Sequence, residues 1–150
     1  MPIFKDLTSP LILLSDDSVA LALSSPDDGN QRYARKIIRT GKFYDSKSDR
    51  WFEVSDNALA HWAKTFALMA SRGVDIPVPL EHTDKPDRNR GWVRNMYIKG
   101  DSLMADIEAI GEEGKKAVER NSVSVFIPPK WTDGTGNNYD WPIMHVALTP

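Results

Sequence analysis

Apolar residues in this 150-residue chain fall mainly into short runs that are separated by glycine, proline and small polar residues. Such runs are typical of strands, whereas a long helix needs apolar residues at steps of three and four. One segment between Ser55 and Gly73 has the helical spacing, and its apolar stripe consists of Leu59, Trp62, Phe66 and Met69. Many short strands with few helices predict an α+β fold, in which a small bent sheet or a closed β-barrel carries flanking helices.

The order of the predicted elements indicates a single domain over residues 1–150, without a linker or a repeat. Residues 1–30 are the least defined, with Leu11–Leu14 and Val19–Leu23 as candidate strands. The run 74–80 contains Pro77 and Pro79, so we expect it at a sheet edge, where missing N–H groups cost least. The remaining patterns predict a strand–loop–strand unit over 32–54, a hairpin over 91–107, a polar helix over 111–120, a strand over 122–127, an irregular excursion over 128–140 and a last strand over 142–148.

Composition excludes several classes of protein. The chain has no cysteine, which removes disulfides, thiolate nucleophiles and zinc–thiolate sites. Its 19 basic and 21 acidic residues lack the positive excess of nucleic-acid binders, and no apolar stretch is long enough to span a bilayer. The sequence also has no glycine-rich phosphate loop and no His-Glu-x-x-His motif. We therefore expect a cytoplasmic protein that uses no cofactor or metal and has neither nucleic acid nor membrane as a partner.

The residues that could carry chemistry are serines and histidines, because nucleophilic catalysis without cysteine falls to serine, threonine, lysine or a carboxylate. His61 lies off the apolar stripe of the predicted helix, so it is expected to be an ordinary exposed side chain. His82 follows an apolar strand and opens a polar loop, a position that presents an imidazole to substrate. His145 lies in an alternating strand and is either a core histidine or part of a site. Ser122 and Ser124 share one strand face, and either hydroxyl could be a nucleophile.

Three short motifs, taken together, resemble those of the herpesvirus assembly proteases, the assemblins. The first is Ile76–His82 followed by Gly91-Trp92-Val93, the second is Ser122-Val123-Ser124, and the third is His145-Val146-Ala147-Leu148. Their order of histidine, serine and histidine is that of the assemblin triad. The prohead maturation proteases of tailed phages look like relatives of the same fold, and the Mu-type protease–scaffold proteins among them tend to end this module with a stretch much like Val146–Pro150. The resemblance covers roughly residues 74–150.

This resemblance implies a herpesvirus-protease-like fold and a serine endopeptidase that acts during phage head maturation. Its substrates would be scaffold and major capsid precursor proteins, and the protease itself. It would act inside the assembling procapsid in the host cytoplasm. Whether the protein forms a homo-oligomer is left open. Ser124 would attack the peptide carbonyl, His82 would transfer the proton, and His145 would hold His82 in the productive tautomer. Because a neutral histidine stabilises imidazolium less than a carboxylate does, we expect slow turnover.

Two departures from the family pattern leave roles open. Many phage relatives have an acidic third member, so Asp84 or Asp140 is an alternative to His145. Ser122 is the alternative to Ser124 because it shares the same strand face. In assemblins a Gly/Arg-rich stretch after the third-member strand supplies the oxyanion-hole amide, whereas this sequence ends at Pro150. We therefore expect residues 1–150 to fold but to cleave peptides poorly, and a chain extended past Pro150 to be faster.

Other functions compete with this interpretation. A metal-dependent hydrolase could use His82 and His145 together with Asp84 or Glu81. A non-enzymatic scaffold- or capsid-assembly module could keep a protease-like fold and bind partners through the aromatic residues of segment 131–141. Nucleic-acid binding is the weakest alternative; its basic cluster, which Asp84 and Asp87 interrupt, consists of Lys85, Arg88, Arg90 and Arg94.

Overall fold

The computed structural model describes residues 7–15, 19–23, 30–45 and 49–149. Short strands dominate its secondary structure. The elements are, in chain order, β1 (Leu11–Leu14), β2 (Leu21–Ala22), β3 (Arg32–Arg39), β4 (Gly41–Asp45), β5 (Arg50–Val54), α1 (Asp56–Ser71), β6 (Ile76–Pro79), β7 (Asn89–Lys99), β8 (Ser102–Ala109), α2 (Gly111–Arg120), β9 (Ser122–Ile127), β10 (Lys130–Thr132), β11 (Asn138–Asp140) and β12 (His145–Thr149). No helix in these ranges is long and apolar enough to cross a membrane.

Two antiparallel sheets carry most of the strands. The larger has the order β2-β3-β8-β7-β6, with the proline-containing β6 at the predicted edge, and the smaller has the order β1-β9-β12. The chain after β6 meets β12 at one parallel bridge between Leu80 and Leu148. The α+β class is confirmed, with mostly antiparallel sheets and two helices. The described residues form no closed barrel, because the larger and the smaller sheet are separate ladders that meet at this isolated bridge and not through continuous strand pairing.

Helix α1 packs on β7 and β8 of the larger sheet. The Ser55 hydroxyl accepts a hydrogen bond from the Ala58 N–H at 3.1 Å and so caps the first turn, where Asp56 also suits the helix dipole. Gly73 follows the helix with φ of 81°, which glycine adopts without strain. The buried side is the predicted apolar stripe with one added alanine: Ala58, Leu59, Trp62, Phe66 and Met69. The predicted helix is therefore confirmed.

Strand β9 is the central strand of the smaller sheet, and its two faces differ. One face packs into the core through Val123, Val125 and Ile127. The opposite face carries Ser124, whose partners across the sheet are Leu14 of β1 and Ala147 of β12. The strand predicted over 122–127 is confirmed, and its serine lies on a face shared by three strands.

The segment between β9 and β12 was expected to be irregular but contains the β10–β11 hairpin. Trp131 and Tyr139 are opposite each other in its ladder and stack, with ring centroids 5.8 Å apart. The Asp133 carboxylate holds the turn by accepting hydrogen bonds from the backbone N–H groups of Thr135 and Asn137, both at 2.9 Å. Glycine and asparagine in this turn are the residues that suit a tight hairpin, so the sequence did contain a signal for it.

Two other strands have bounds that differ from prediction. The last strand begins at His145 instead of Pro142. Trp141 has a left-handed φ of 49°, and Pro142 lacks the N–H group that a ladder needs. At the N-terminal side, Leu11–Leu14 forms the predicted strand, whereas only Leu21–Ala22 of the second run is a strand. Parts of the segment 1–30 lie outside the described residues.

Candidate active site

Three side chains from separate parts of the chain meet beside strand β9. The Nε2 atom of His82 lies 2.9 Å from the hydroxyl oxygen of Ser124, and its Nδ1 atom lies 2.7 Å from Nε2 of His145. In sequence, His82 is 42 residues from Ser124 and 63 residues from His145, so only the fold brings them together. The structure therefore joins serine, histidine and histidine in one continuous hydrogen-bonded chain.

His82 is directed toward β9 by the turn that follows β6. Leu80 forms the bridge to Leu148, and Glu81 then adopts a left-handed conformation while its N–H donates to the Leu148 carbonyl at 2.9 Å. A non-glycine residue with this φ is strained and has to be held by its surroundings. Glu81 was considered only as a metal ligand, since glutamate carries no sequence signal for a positive φ. In the structure it shapes the backbone that places the imidazole.

His145 opens strand β12 opposite Phe126 of β9. The two rings stack, with centroids 4.8 Å apart and planes inclined by 16°. The segment before His145 is fixed at Trp141, whose N–H donates to the Pro129 carbonyl at 2.9 Å and whose carbonyl accepts from the Trp62 indole at 3.0 Å. Helix α1 thus helps to place the second histidine, which no spacing in the sequence indicates.

The serine beside His82 is Ser124, which is only 3% exposed. Ser122 lies on the same strand face but roughly 7 Å further along, the distance that two strand residues span. There its carbonyl oxygen accepts a hydrogen bond from the Thr149 hydroxyl at 3.5 Å. The geometry pairs Ser124, and not Ser122, with the imidazole.

The electrostatics of the site keep His145 uncharged at neutral pH. Burial, and after it the charge of His82, lowers the pKa of His145 to about 4, while the carboxylate of Asp84 acts in the opposite direction. In the tautomer of His82 that carries its proton on Nδ1, the Ser124 hydroxyl can donate to Nε2 of His82, and Nδ1–H of His82 can donate to Nε2 of the neutral His145. In this arrangement His82 is the proton acceptor next to the serine.

The acidic residues considered as third members lie outside this hydrogen-bonded chain. Nδ1 of His82 contacts Nε2 of His145 at 2.7 Å, so the neighbour of this imidazole on that side is a second histidine. Asp84 lines the same groove as both histidines and acts on His145 through its charge. Asp140 belongs to β11, and its carbonyl oxygen lies 2.7 Å from Nε2 of His61. His61, expected to be exposed, is instead half-buried against the hairpin.

Two alternative functions, a metal-dependent hydrolase and a nucleic-acid-binding protein, receive no support from the residues suggested for them. Within the ranges that the structure describes, no three His, Cys, Asp or Glu side chains are grouped so that they could hold a metal ion. Arg94 of the basic cluster pairs with Asp75 at 3.4 Å and with Glu108 at 3.1 Å. Arg90 lies 3.8 Å from Glu113. These two arginines therefore contribute to ion pairs that connect neighbouring elements.

A groove with a volume of about 710 Å³ opens beside the two histidines. Its lining extends from His82 and His145, past Phe126, to Lys130 and Trp131 of the β10–β11 hairpin. A concave, mostly apolar surface next to a nucleophile and a base is the usual form of a substrate site. His82 connects this groove to Ser124, which contacts the imidazole but is not among the lining residues.

Comparison with known proteins identifies the fold. No protein-family model matches the chain, and no curated protein matches it either. Among solved structures, the chain is similar to the capsid assembly protease gp21 of bacteriophage T4, with a TM-score of 0.61 and 9% sequence identity over 95% of this chain and 99% of that one. The expected resemblance to a phage prohead protease is thereby confirmed for the fold. At this identity the likeness does not extend to individual residues.

Proposed function

We propose that this chain is a serine endopeptidase that cleaves scaffold and capsid precursor proteins, and itself, during maturation of a phage head. The observation that carries the proposal is the continuous chain Ser124–His82–His145, with contacts of 2.9 and 2.7 Å. These distances lie within the range in which a nucleophile and its base exchange a proton. The capsid-assembly-protease fold supports the assignment of the substrates.

The proposed mechanism uses the tautomer in which the Ser124 hydroxyl donates to Nε2 of His82 and Nδ1–H of His82 donates to Nε2 of His145. Ser124 attacks the peptide carbonyl as Nε2 of His82 accepts its proton, and His82 then gives that proton to the leaving amine. Water hydrolyses the resulting acyl-enzyme with His82 acting as base again. His145 is a positioning residue: it accepts Nδ1–H of His82 and so keeps the unprotonated Nε2 directed at the serine.

The neutral state of His145 predicts a slow enzyme. A carboxylate in this position would stabilise the imidazolium that forms on His82, whereas a neutral ring offers only a lone pair and a dipole. Slow turnover suits a protease that is enclosed with its substrates in an assembling procapsid, because confinement gives a high effective concentration.

The decisive experiment compares Ser124→Ala with Ser122→Ala, two identical changes on one strand face. Each purified variant is incubated with a fluorophosphonate probe and is co-expressed with the scaffold and capsid precursors. We expect Ser124→Ala to lose labelling and to lower cleavage by on the order of a thousandfold or more, and Ser122→Ala to keep both. Circular dichroism should show that both variants are folded.

Two other results would change the assignment. If Ser122→Ala abolishes cleavage and Ser124→Ala does not, the nucleophile is the other serine. If precursor processing is unchanged in both variants, the result favours a non-enzymatic assembly module with a protease-like fold.

A further inference from the structure

The hairpin of β4 and β5 is a two-stranded sheet of its own, and its two faces differ. One face packs toward the core and includes Phe52, which is 7% exposed. The other face carries two cross-strand pairs, in which Tyr44 is opposite Trp51 and Lys42 is opposite Glu53. All four of these side chains are exposed. We call this set of four side chains the hairpin face.

The aromatic pair of the hairpin face has the character of a contact site. Trp51 is 66% exposed and Tyr44 is 48% exposed. Their rings meet edge to face, with centroids 5.6 Å apart and planes inclined by 64°. Tryptophan and tyrosine often dominate the binding energy of interfaces, because each buries a large area while few rotatable bonds are fixed. Two such rings side by side on a surface therefore indicate a partner that covers them.

The two charges of the hairpin face indicate what that partner is. Lys42 and Glu53 lie side by side across the strands, and together with Trp51 they border a hollow of about 370 Å³. One positive and one negative group give the face no net charge, so it favours neither an acidic nor a basic partner. Its electrostatic complement is a surface with the same two charges in the opposite order. A second copy of the same face, turned over, has that order.

One symmetry operation satisfies all four side chains. Two hairpins are stacked face to face, and a two-fold axis between them runs parallel to the strands, midway between β4 and β5. Rotation about this axis puts β4 of each copy over β5 of the other. Because of the cross-strand register, each Lys42 then lies over Glu53 of the second copy, and each Tyr44 lies over its Trp51. Both contacts form twice, as in any isologous interface, and stacked sheets lie about 10 Å apart, a distance that such long side chains can fill.

We infer that the hairpin face is a self-association surface, on which a second copy of this chain packs about a two-fold axis. The inference is independent of the proposed protease function, since none of the four side chains belongs to the lining of the groove beside the two histidines. A standard interface uses about 20–30 residues on each side, far more than this face offers. The dimer should therefore be weak and should form where the chain is concentrated.

Sedimentation velocity of the purified chain, at concentrations from about 1 μM to about 1 mM, measures this self-association. The test variants are Lys42→Glu and Glu53→Lys. The matched control is Lys99→Glu, a charge reversal at an exposed position of β7 outside the hairpin face. We expect the wild type and the control to associate equally. Each test variant should raise the dimer Kd about tenfold or more, because the axis converts two attractive pairs into two repulsive ones.

The most selective sample is an equimolar mixture of Lys42→Glu and Glu53→Lys. Within each of these chains the two charges of the hairpin face are alike. Across the two-fold contact between the two different chains, every positive side chain again faces a negative one. Association of the mixture should therefore return to the wild-type level, whereas damage confined to the hairpin of each chain would not be repaired by mixing.

Trp51→Ser is a further variant that leaves the charges unchanged. It removes the larger ring of the aromatic pair at a position that is 66% exposed, so the fold should tolerate it and the association should weaken. The inference is overturned if the wild type stays monomeric over the whole range, if association survives all three changes, or if the mixture associates no more tightly than its components. A monomeric chain that binds a scaffold precursor through Trp51 would also overturn it and would assign the face to a different partner.

Discussion

At the scale of single residues, the charge state of His145 decides what this ring can contribute to the proposed base, His82. Its pKa of about 4 means that it carries no charge at neutral pH and takes up no proton when His82 becomes an imidazolium. What it supplies is a hydrogen-bond acceptor at 2.7 Å and a ring held flat against Phe126. In the proposed mechanism its contribution is therefore mainly orientation of His82 as the base. The Asp84 carboxylate is the nearby group that favours positive charge on this ring.

The lowered pKa of His145 predicts how stability depends on pH. The unfolded chain protonates this histidine near pH 6.5 and the folded chain only near pH 4, so the unfolded state binds more protons between these values. The free energy of unfolding should fall as the pH is lowered from about 6.5 to about 4. Urea unfolding at pH 7 and pH 5 should show a larger loss for the wild-type chain than for His145→Gln. An identical loss in both proteins would contradict the assigned pKa.

At the scale of elements, two strained turns place the two histidines. Glu81 and Trp141 both have positive φ values, and each precedes one histidine of the site. Each is held by hydrogen bonds from a neighbouring element: Glu81 by Leu148 of β12, and Trp141 by Trp62 of α1. The ends of β6 and β12 are thereby fixed with respect to each other, which is what a hydrogen-bonded pair of rings requires.

The Glu81 turn can be tested with two substitutions that differ in their tolerance of a positive φ. Glu81→Gly should be at least as stable as the wild type, because glycine adopts this conformation without strain. Glu81→Val should be less stable than Glu81→Gly by about 1–3 kcal/mol and should cleave more slowly, since a β-branched residue resists this φ and displaces His82. Urea unfolding and peptide cleavage measure the two effects. Equal stability of both variants would show that the turn is not strained.

Sequence patterns predicted the elements that follow one local rule. The α1 stripe, the edge position of β6 and the strand of Ser124 are examples, because each depends on periodicity or on proline chemistry. The motif order also selected Ser124, His82 and His145 as candidates, and the fold brings these three side chains into contact. The turns at Glu81 and Trp141 could not be predicted, since their φ values are imposed by contacts with residues far away in sequence. The closed barrel, offered as an alternative to a bent sheet, is not formed in the described residues, because closure depends on pairing between strands far apart in sequence.

At the scale of the whole molecule, the site and the core share the same strands. On β12, Val146 and Leu148 pack in the core cluster while His145 reaches the site, and β9 divides its side chains in the same way. The reactive groups therefore have no separate support that could survive when the core opens. Loss of the site and loss of the fold should be one event.

This coupling can be tested with Leu148→Ala. Leu148 is 1% exposed, and its truncation should destabilise the fold by about 2–5 kcal/mol. Far-UV circular dichroism and fluorophosphonate labelling of Ser124 should lose their signals at the same urea concentration, and both midpoints should move down together. Leu68→Ala, on the exposed side of α1, is the control that should change neither midpoint appreciably. Labelling that disappears well before the dichroism signal would indicate a site that melts on its own.

Strand β12 is the last of the described strands to leave the ribosome. A growing chain contains His82 and then Ser124 before the segment with His145 has been made. On the proposed mechanism the first imidazole has nothing to orient it during that interval, and the serine stays unreactive. The proposed proteolytic activity would then be complete only after β12 has been synthesised and has paired with β9. The order of strands along the chain would thus delay activity and would prevent the nascent protease from cleaving itself or neighbouring chains before they have folded.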